Sequence, residues 1–323
     1  MAPSIQTVSA ITLQAITPRI ADNVTLGNAT LAFLRNASRM TLEEGADFIQ
    51  EPMQWALNGT AQSYTGYTPF NLTPQEEITA AVYGWKQYSA VPSISGTEQI
   101  RNANSNGVLK AWAQKTRIAE SSLVQLLDAH IHADFTTKAV TDLLGLDEFV
   151  ENTNPPSATI GGINRAVEVW WRNKYREGTQ ATITQDLRAT RIDASEGSES
   201  PDFGVTNPEA WQALVNQNAG RQRLINQAMM ALNYDNFVLD GVTIMWNRNC
   251  QGNGVTTPSA ATPWNIYLLN SKYLRLRIHR DRNFSAREVQ TPIGQDALIG
   301  ALLFAGALTL SDSRFQAVLK IIG

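Results

Sequence analysis

The longest helical pattern in the chain runs from Glu98 to Ile131, and it limits the folds that are open to this sequence. Apolar side chains recur along one face at helical spacing, and Thr97 is the predicted N-cap. At 1.5 Å per residue, a continuous helix of this length is about 50 Å long, roughly three times the usual helix. Residues 102–107 are rich in Asn, Ser and Gly, so a kink is expected there. Such a helix predicts a structural spine rather than a catalytic element.

The residues before this helix predict a long β-hairpin with a wide tip. Turn-forming Gly, Pro and Asn residues crowd positions 58–74, and residues 78–91 alternate with the period of a strand that ends near Pro92. A two-stranded hairpin is only marginally stable by itself, so its exposed aromatic residues need a surface to lie on. The predicted contact residues are Tyr64, Tyr67, Phe70, Trp85, Lys86 and Tyr88.

Weaker patterns surround these two elements. Residues 1 to about 30 are apolar but irregular and predict an extended N-terminal arm, and a helical stretch is expected from Thr30 to Ile49. The predicted division of the chain is residues 1–50 for the arm and short helix, 51–96 for the hairpin, 97–135 for the spine helix, 136–290 for a mixed domain and 291–323 for closing strands.

The mixed domain is expected to combine short strands with one strong helix. The helix begins at Pro208 and its apolar positions continue to Leu232, while strands are predicted at residues 238–246 and 264–279. The polar residues 176–206 predict a surface loop.

The C-terminal residues predict a hairpin that is buried on both faces. Its two apolar runs, residues 297–310 and 315–322, are separated by the polar turn Ser311-Asp312-Ser313. The longer run is shorter than the roughly 20 residues that span a bilayer, so no membrane segment is expected.

The composition narrows the classes of function. Charged residues make up 17% of the 323 residues, below the roughly 25% of soluble domains, and seven Lys stand against nineteen Arg. The net charge of -3 argues against a dedicated nucleic-acid binder. The single cysteine, Cys250, excludes an intramolecular disulfide and a cysteine-based zinc site.

The run from Asp128 to Asp134 contains the strongest catalytic candidate. Its His-x-His pair resembles the first metal-binding strand of the amidohydrolases, which use about four histidines and an aspartate to activate a metal-bound water. Only His279 remains to complete such a set, and residues two apart on a helix point about 200° apart. A metal-dependent hydrolase using His130, His132, Asp134 and His279 is therefore the weaker alternative, and no catalytic residue, cofactor or metal ligand is predicted.

Two basic clusters are further candidate contact sites. The first follows Gly161-Gly162 and lacks the spacing and the lysine of a phosphate loop, which favours a turn whose tryptophans pack inside or between subunits. The second is an alternating arginine face that could meet phosphate, a neighbour's carboxylates, or solvent with nearby carboxylates as counterions. The residues are Gly161, Gly162, Arg165, Trp170, Trp171 and Arg172 in the first cluster, and Arg275, Arg277, Arg280 and Arg282 in the second.

Taken in order, these elements resemble a tailed-bacteriophage major capsid protein of the Hong Kong 97 type, whose fold is shared with encapsulins. The resemblance rests on the order and spacing of several stretches rather than on one specific motif. Residues 51–67 and 79–86 are similar to the family's extended loop, 93–98 to its junction with the spine helix, 159–165 with 170–173 to a Gly-Gly and Trp-Arg-Asn stretch of the axial domain, and 266–274, 306–308 and 313–316 to later strands.

The resemblance implies an α+β fold with an N-terminal arm, an extended β-hairpin loop, a spine helix, a peripheral domain and an axial domain. It implies a subunit that forms hexamers and pentamers in an icosahedral shell around double-stranded DNA, without sequence specificity for that DNA. The implied location is the virion capsid, assembled in the host cytoplasm. The composition agrees, because interfaces are enriched in aromatic and Arg residues and depleted in Lys.

The resemblance also bears on partners. The short N-terminal segment leaves no room for a fused scaffolding domain, so a separate scaffold is expected, and a portal and a decoration protein are further implied partners. Some relatives cross-link subunits through a Lys on the extended loop. Here Lys86 is the only Lys among residues 1–109 and lies on a predicted strand, so no cross-link is expected. An encapsulin-like cellular compartment is the nearest alternative.

Overall fold

The computed structural model describes residues 29–101, 105–218, 225–232 and 234–323. Almost all of the predicted N-terminal arm lies outside these residues, as does part of the segment where a kink was expected.

A hairpin follows two short elements at the start of the described chain. Helix α1 (Ala29–Asn36) and strand β1 (Met40–Glu43) lead into β2 (Phe48–Gln54) and β3 (Ile78–Gly84). Strands β2 and β3 pair antiparallel in register, so residues 55–77 form a wide tip and the predicted hairpin is confirmed. The helix expected up to Ile49 ends early, because Ser38 adopts a positive φ of 57° and the chain then becomes extended.

The return strand of the hairpin is shorter than predicted. It ends at Gly84, and the chain continues as β4 (Lys86–Ala90) and β5 (Ser93–Ser95). Strand β4 pairs with a C-terminal strand instead of with β2. The alternating pattern of residues 78–91 therefore belongs to two strands with different partners.

The spine consists of α2 (Gly96–Arg101) and the 28-residue α3 (Ser105–His132). Ser95 caps it, because its hydroxyl accepts from the Glu98 amide at 3.3 Å and its own amide donates to the Glu98 carboxylate at 3.1 Å. The N-cap is thus Ser95 and not Thr97. The predicted end near Ile131 is confirmed.

Short elements connect the spine to the rest of the chain. They are α4 (Leu146–Phe149), β6 (Thr159–Ile160), β7 (Ile163–Asn164) and 3-10 turns at Phe135–Thr137 and Val169–Trp171. Strands β6 and β7 pair across Gly161-Gly162, and both glycines have positive φ, as a two-residue hairpin turn requires.

Two sheets form the body of the molecule. The remaining helices are α5 (Ile183–Asp193), α6 (Pro208–Gln217) and α7 (Gln227–Met230), with 3-10 turns at Gln180–Thr182 and Arg280–Arg282. The remaining strands are β8 (Lys174–Gly178), β9 (Phe203–Thr206), β10 (Asn236–Leu239), β11 (Val242–Trp246), β12 (Trp264–Leu269), β13 (Leu274–His279), β14 (Ser285–Ala286), β15 (Ala297–Ile299), β16 (Leu302–Leu310) and β17 (Ala317–Ile321).

The first sheet has the order β1-β13-β16-β14, with β4 also paired to β16. The second sheet has the order β10-β11-β9-β12-β17-β8, and buried residues of α5 and α6 pack on it. Strands β5 and β15 pair separately beside the start of the spine. Because α3 and the first sheet share one buried cluster, the spine packs against the first sheet.

Several predicted strands are divided differently in the structure. Residues 264–279 form β12 in the second sheet and β13 in the first, because the turn at Asn270–Tyr273 separates them. Residues 236–246 form a hairpin, since Asp240 and Gly241 both have positive φ. The domain boundary predicted at residue 290 does not coincide with the division between the two sheets, because β13 already belongs to the first sheet.

Two further predictions are corrected. The predicted loop 176–206 contains most of β8, all of α5 and all of β9, because the apolar residues Ile183, Leu187 and Phe203 are buried. The two C-terminal runs are buried as predicted, but they do not pair. Strand β16 joins the first sheet and β17 joins the second. In the described part of the chain, no helix combines the length and the apolar character needed to cross a membrane.

Candidate assembly interface

The hairpin tip, defined as residues 55–77, extends away from the rest of its own chain. Residues 61–76 are all exposed, and Tyr67 is fully so. The rings of Tyr64 and Phe70 contact each other edge to face at 5.1 Å, and Leu57 and Leu72 are each 87% exposed. The predicted exposure of the three tip aromatics is confirmed, and their role as contacts stays a prediction.

The outer face of the hairpin is uncharged and largely apolar. Alternate residues of a strand point to opposite sides, and here the outward positions pair in register. They are Phe48 with Gly84, Gln50 with Val82, Pro52 with Ala80 and Gln54 with Ile78. Antiparallel strands with one solvent-exposed face usually carry polar residues on that face. The composition of this hairpin is instead typical of a strand pair that is covered on both faces. These outward residues were not predicted from the sequence, although both faces of the strands FIQEPMQ and ITAAVYG carry apolar side chains.

The inner face of the hairpin is fixed to the body. The buried Tyr83 donates its hydroxyl to the Leu310 carbonyl at 2.8 Å, and burial raises the pKa of that phenol. The Val82 amide donates to the Gly161 carbonyl at 2.9 Å. At the start of the tip, the Trp55 ring stacks on Trp170 with centroids 5.8 Å apart.

A buried ion pair adds to these contacts. Glu51 of β2 is only 4% exposed, and one of its carboxylate oxygens accepts from Arg277 Nη2 at 2.8 Å and from Thr309 Oγ1 at 2.8 Å. Arg277 also donates to Thr41 Oγ1 at 3.1 Å and to the Glu43 carboxylate. The carboxylates that meet Arg277 therefore belong to the same chain and not to a neighbour.

The other predicted arginines have different surroundings. Arg280 pairs with Glu44 in an exposed ion pair, and Arg282 donates to the Gln87 side chain at 2.7 Å. Arg275 is half-buried on β13. Two of the four arginines, Arg277 and Arg280, are thus compensated within the chain, by glutamates of β1 and β2 and the segment between them.

Three of the predicted hairpin contacts point into their own chain. Trp85 donates its indole N–H to the Ala46 carbonyl at 2.8 Å, and Lys86 donates to the Val140 carbonyl. Tyr88 is buried, and its hydroxyl accepts from the Leu143 amide at 2.6 Å. The expected exposure of Tyr88 is therefore wrong, whereas Trp85 and Lys86 are half-buried and their role as subunit contacts stays a prediction.

The turn cluster, defined as residues 159–173, contains two completely buried side chains. Trp171 is completely buried and donates its indole N–H to the Ile160 carbonyl at 3.1 Å. Arg165 is completely buried too, and it donates to the Phe149 carbonyl and to Ser313 Oγ at 3.0 Å. Burial lowers the pKa of Arg165 to about 10. For Trp171 this burial is the predicted packing inside the subunit, and the completely buried Arg165 likewise has no exposed surface for a contact with a neighbouring subunit.

The remaining members of the turn cluster hold the turn together. The half-buried Trp170 donates to the Glu168 carboxylate at 2.6 Å. Arg172 donates to the carbonyls of Arg165 and Ala166 at 2.7 and 2.9 Å. A Cβ at Gly161 would lie 2.7 Å from Ala81 Cβ, whereas one at Gly162 would meet no atom within 4 Å. Gly161 therefore lets the turn support the hairpin closely.

The histidines at the end of α3 are engaged in structural contacts. The buried His132 makes hydrogen bonds with Thr30 Oγ1 at 2.7 Å through Nε2 and with the Asp128 carbonyl at 2.9 Å through Nδ1. His130 Nδ1 lies 2.8 Å from the Tyr88 hydroxyl, and burial lowers the pKa of His130. His279 packs beside Trp85 on β13. The structure therefore does not bring the three histidines into one metal site.

A buried carboxyl lies beside the spine's end. Asp147 of α4 accepts from the Tyr267 hydroxyl at 3.0 Å and from the Phe135 amide at 3.2 Å. Burial raises the pKa of Asp147 to about 6, and burial also raises the pKa of the Cys250 thiol. Among the described residues, no group of three or more His, Cys, Asp or Glu side chains could hold a metal ion.

Comparison with known proteins gives likeness in structure alone. No protein-family model and no curated protein matches the sequence. The capsid subunit of cyanophage A-1(L) is 16% identical, covers 88% of this chain and 90% of its own, and superposes with a TM-score of 0.59. The capsid of the Myoviridae phage XM1 is 12% identical, with coverage of 88% and 90% and a TM-score of 0.53. The SrpI encapsulin of Synechococcus elongatus PCC 7942 is 13% identical, with coverage of 88% and 85% and a TM-score of 0.52.

These likenesses place the chain in the fold class of phage capsid and encapsulin subunits. The likeness covers nearly the whole of this chain and of each of the three solved chains. The chain has the Hong Kong 97-type fold.

Proposed function

We propose that this chain is a major capsid protein whose copies assemble as hexamers and pentamers into an icosahedral shell around double-stranded DNA. The observation that carries the proposal is the hairpin. Its outer face is apolar and its tip, with Tyr64, Tyr67 and Phe70, is exposed, on a fold found in phage capsids. Aromatic, uncharged surface of this kind is typical of protein–protein contacts.

The charge of the chain supports a container for DNA rather than a DNA-binding module. The net charge is -3, and the buried or half-buried arginines Arg165 and Arg277 are engaged within the chain. Tight, salt-dependent DNA binding needs many free cationic groups that contact phosphates. We therefore propose that the DNA is enclosed without sequence-specific contacts.

The proposed setting follows from the shell. The location is the virion capsid, assembled in the host cytoplasm, with a separate scaffolding protein, a portal and possible decoration proteins as partners. The fold supports this setting because it is the fold of the cyanophage A-1(L) and XM1 capsids.

An encapsulin-like compartment is the second candidate, because the SrpI encapsulin shares the fold at a similar TM-score. The two candidates differ in cargo. The metal-dependent hydrolase has less support, since His130 and His132 make hydrogen bonds with Tyr88, Thr30 and Asp128.

Electron microscopy of the expressed chain, together with light scattering, tests the proposal. Closed shells are expected, alone or on coexpression with neighbouring phage genes, and nuclease-protected double-stranded DNA is expected in complete particles. Particles of one subunit under every condition would overturn the shell. Shells that retain a protein cargo and no DNA would favour the compartment, and a subunit-sized protein with stoichiometric zinc would favour the hydrolase.

A further inference from the structure

The hairpin tip is held in place only through the base of the hairpin. Residues 61–76 are exposed, so contacts of β2, β3 and Trp55 with the body decide where the tip points. The extended chain between Glu51 and the middle of the tip spans at most about 3.5 Å per residue. A small rotation at the base therefore moves the tip by several ångströms.

Among the described contacts at the base of the hairpin, the Glu51–Arg277 pair is the one that joins two charged side chains in a fixed geometry. Arg277 Nε and Nη2 both donate to the same Glu51 oxygen, at 3.0 and 2.8 Å. The two side chains are 5% and 15% exposed for Glu51 and Arg277. A desolvated guanidinium–carboxylate pair constrains direction more strongly than a surface pair or an apolar contact, because its donors lie in one plane.

The side chains that form hydrogen bonds with Glu51 or Arg277 come, apart from Glu51 itself, from three strands of the first sheet. Thr41 and Glu43 lie on β1, Arg277 on β13, and Thr309 on β16. Thr309 is completely buried, and its hydroxyl donates to Glu51 at 2.8 Å. Glu51 alone in this group belongs to the hairpin. The Glu51 carboxylate thus accepts its hydrogen bonds from side chains of the first sheet.

The presence of a buried ion pair is weak evidence that the pair stabilises the fold. Replacing one by apolar residues of similar volume is often neutral or stabilising, whereas removing one partner is strongly destabilising. A charged residue at this position of an otherwise apolar inner face, among Ile49, Ala81 and Tyr83, therefore indicates a directional role.

We propose that Glu51 and Arg277 are positioning residues that set the direction of the hairpin relative to the first sheet, and through it the geometry of the assembled shell. The first part concerns the single chain. The second part rests on the proposed function.

Distances between spin labels measure the direction of the hairpin. One label is placed on the tip by Thr68→Cys and one on the spine helix α3, which packs against the first sheet, by Ile118→Cys at an exposed position, with Cys250→Ala to remove the native thiol. Labelled chains are diluted into unlabelled ones, so that only distances within a chain are recorded, whether or not the chains are assembled. The test variant is Glu51→Met with Arg277→Met, which removes the charges without leaving one buried and unpaired.

The matched control is Glu44→Gln with Arg280→Gln, which removes the neighbouring exposed pair. The labelled protein with the native Glu51 and Arg277 and the control variant are expected to give the same narrow distribution of distances between the two labels. The apolar double variant is expected to keep its melting temperature near that of the control while the distance shifts by several ångströms or broadens. An unchanged distance in a folded double variant overturns the proposal, because the pair would then contribute only to stability.

A second variant keeps the test decisive if the double variant does not fold. Arg277→Lys preserves the charge but cannot donate from a rigid fork to Glu51 and Glu43 together. Its distance distribution is expected to broaden, and an unchanged distribution overturns the proposal.

Electron microscopy of the same variants tests the effect on the shell. The control is expected to form shells of uniform diameter, and the apolar double variant mixed diameters or open sheets. Uniform shells of unchanged diameter from a variant with a shifted distance would overturn the link to shell geometry. If the unsubstituted chain forms no shells at all, the proposed function fails, while the spin-label distances still decide the role of the pair.

Discussion

The hairpin tip and the turn cluster both carry aromatic residues, but the turn cluster buries Trp171 and Arg165 within its own chain, whereas residues 61–76 of the tip are exposed. Side-chain hydrogen bonds within the tip, such as that of Gln62 to the Pro69 carbonyl, are local. In the turn cluster, Arg165 reaches Ser313 and Phe149, far away in the sequence. Aromatic residues in both regions are typical of buried surface. The hydrogen bonds to distant residues show that the buried side chains of the turn cluster are already engaged within the chain, whereas those of the tip are local. The tip is therefore the region that we propose for contact with a second copy.

The largest effect on stability is expected from Trp171→Ala. This side chain is completely buried, so its truncation is expected to lower the free energy of unfolding by about 3–5 kcal/mol. Urea unfolding followed by circular dichroism measures it. Val169→Ala, at an exposed neighbour, is the control and is expected to change stability by less than about 0.5 kcal/mol. Equal effects of the two would break the comparison.

A pH-dependent effect is expected beside the turn cluster, at Asp147. Its folded pKa of about 6 lies above the ordinary value of 3.8, so the folded chain binds the proton more tightly than the unfolded chain. The free energy of unfolding therefore falls as pH rises through this window, by about 3 kcal/mol in total.

Asp147→Asn is expected to remove most of this dependence in urea titrations between about pH 4 and about pH 7. Asp193→Asn, at an exposed ion pair with Arg176, is expected to leave it in place. A slope that persists in Asp147→Asn would show that another group is responsible.

A smaller effect is expected where the turn cluster supports the hairpin. Gly161→Ala introduces a Cβ at positive φ and 2.7 Å from Ala81 Cβ, with an expected cost of about 2–4 kcal/mol. Gly162→Ala also has positive φ but open space, and is expected to cost about 1 kcal/mol. Thermal melts of both variants measure the difference. If the two costs are the same, the close approach to Ala81 contributes nothing.

The smallest effect on stability is expected at the tip. The pair Tyr67→Ser and Phe70→Ser removes two exposed rings, so the free energy of unfolding is expected to change by less than about 0.5 kcal/mol. The yield of assembled particles, measured by light scattering, is expected to fall sharply. A large loss of stability without loss of assembly would reverse the distinction between the two regions.

The sequence predicted the elements with long, regular patterns. The hairpin and the end of the spine near Ile131 follow from periodicity, and the structure has both. Periodicity cannot show where a strand changes its partner. Residues 264–279 and 78–91 were therefore taken as single strands, although the turn at 270–273 and the break at Trp85 divide them. The dipeptide Asp240-Gly241 is a recognised signal for a two-residue hairpin turn, but it lies within the apolar run that was predicted as one strand at residues 238–246.

The candidate interface was predicted only in part for a related reason. Tyr64, Tyr67 and Phe70 were found because turn residues surround them. Tyr88 and Trp171 have the same chemistry, but both are buried in the core cluster, where Tyr88 for example meets Leu143, 55 residues later in the chain. Glu51 was not singled out, since its role depends on Arg277, more than two hundred residues later.

The way the chain alternates between its two sheets limits how the protein can be divided into fragments. Strand β17 lies between β12 and β8 in the second sheet, and β13 and β16, which pair in the first sheet, come before it in the chain. A fragment of residues 174–269 would lack the strand that joins β8 to its neighbours. No continuous piece of the chain therefore contains the whole second sheet without also carrying strands of the first, so neither sheet can be excised as an autonomous unit for expression or transplantation.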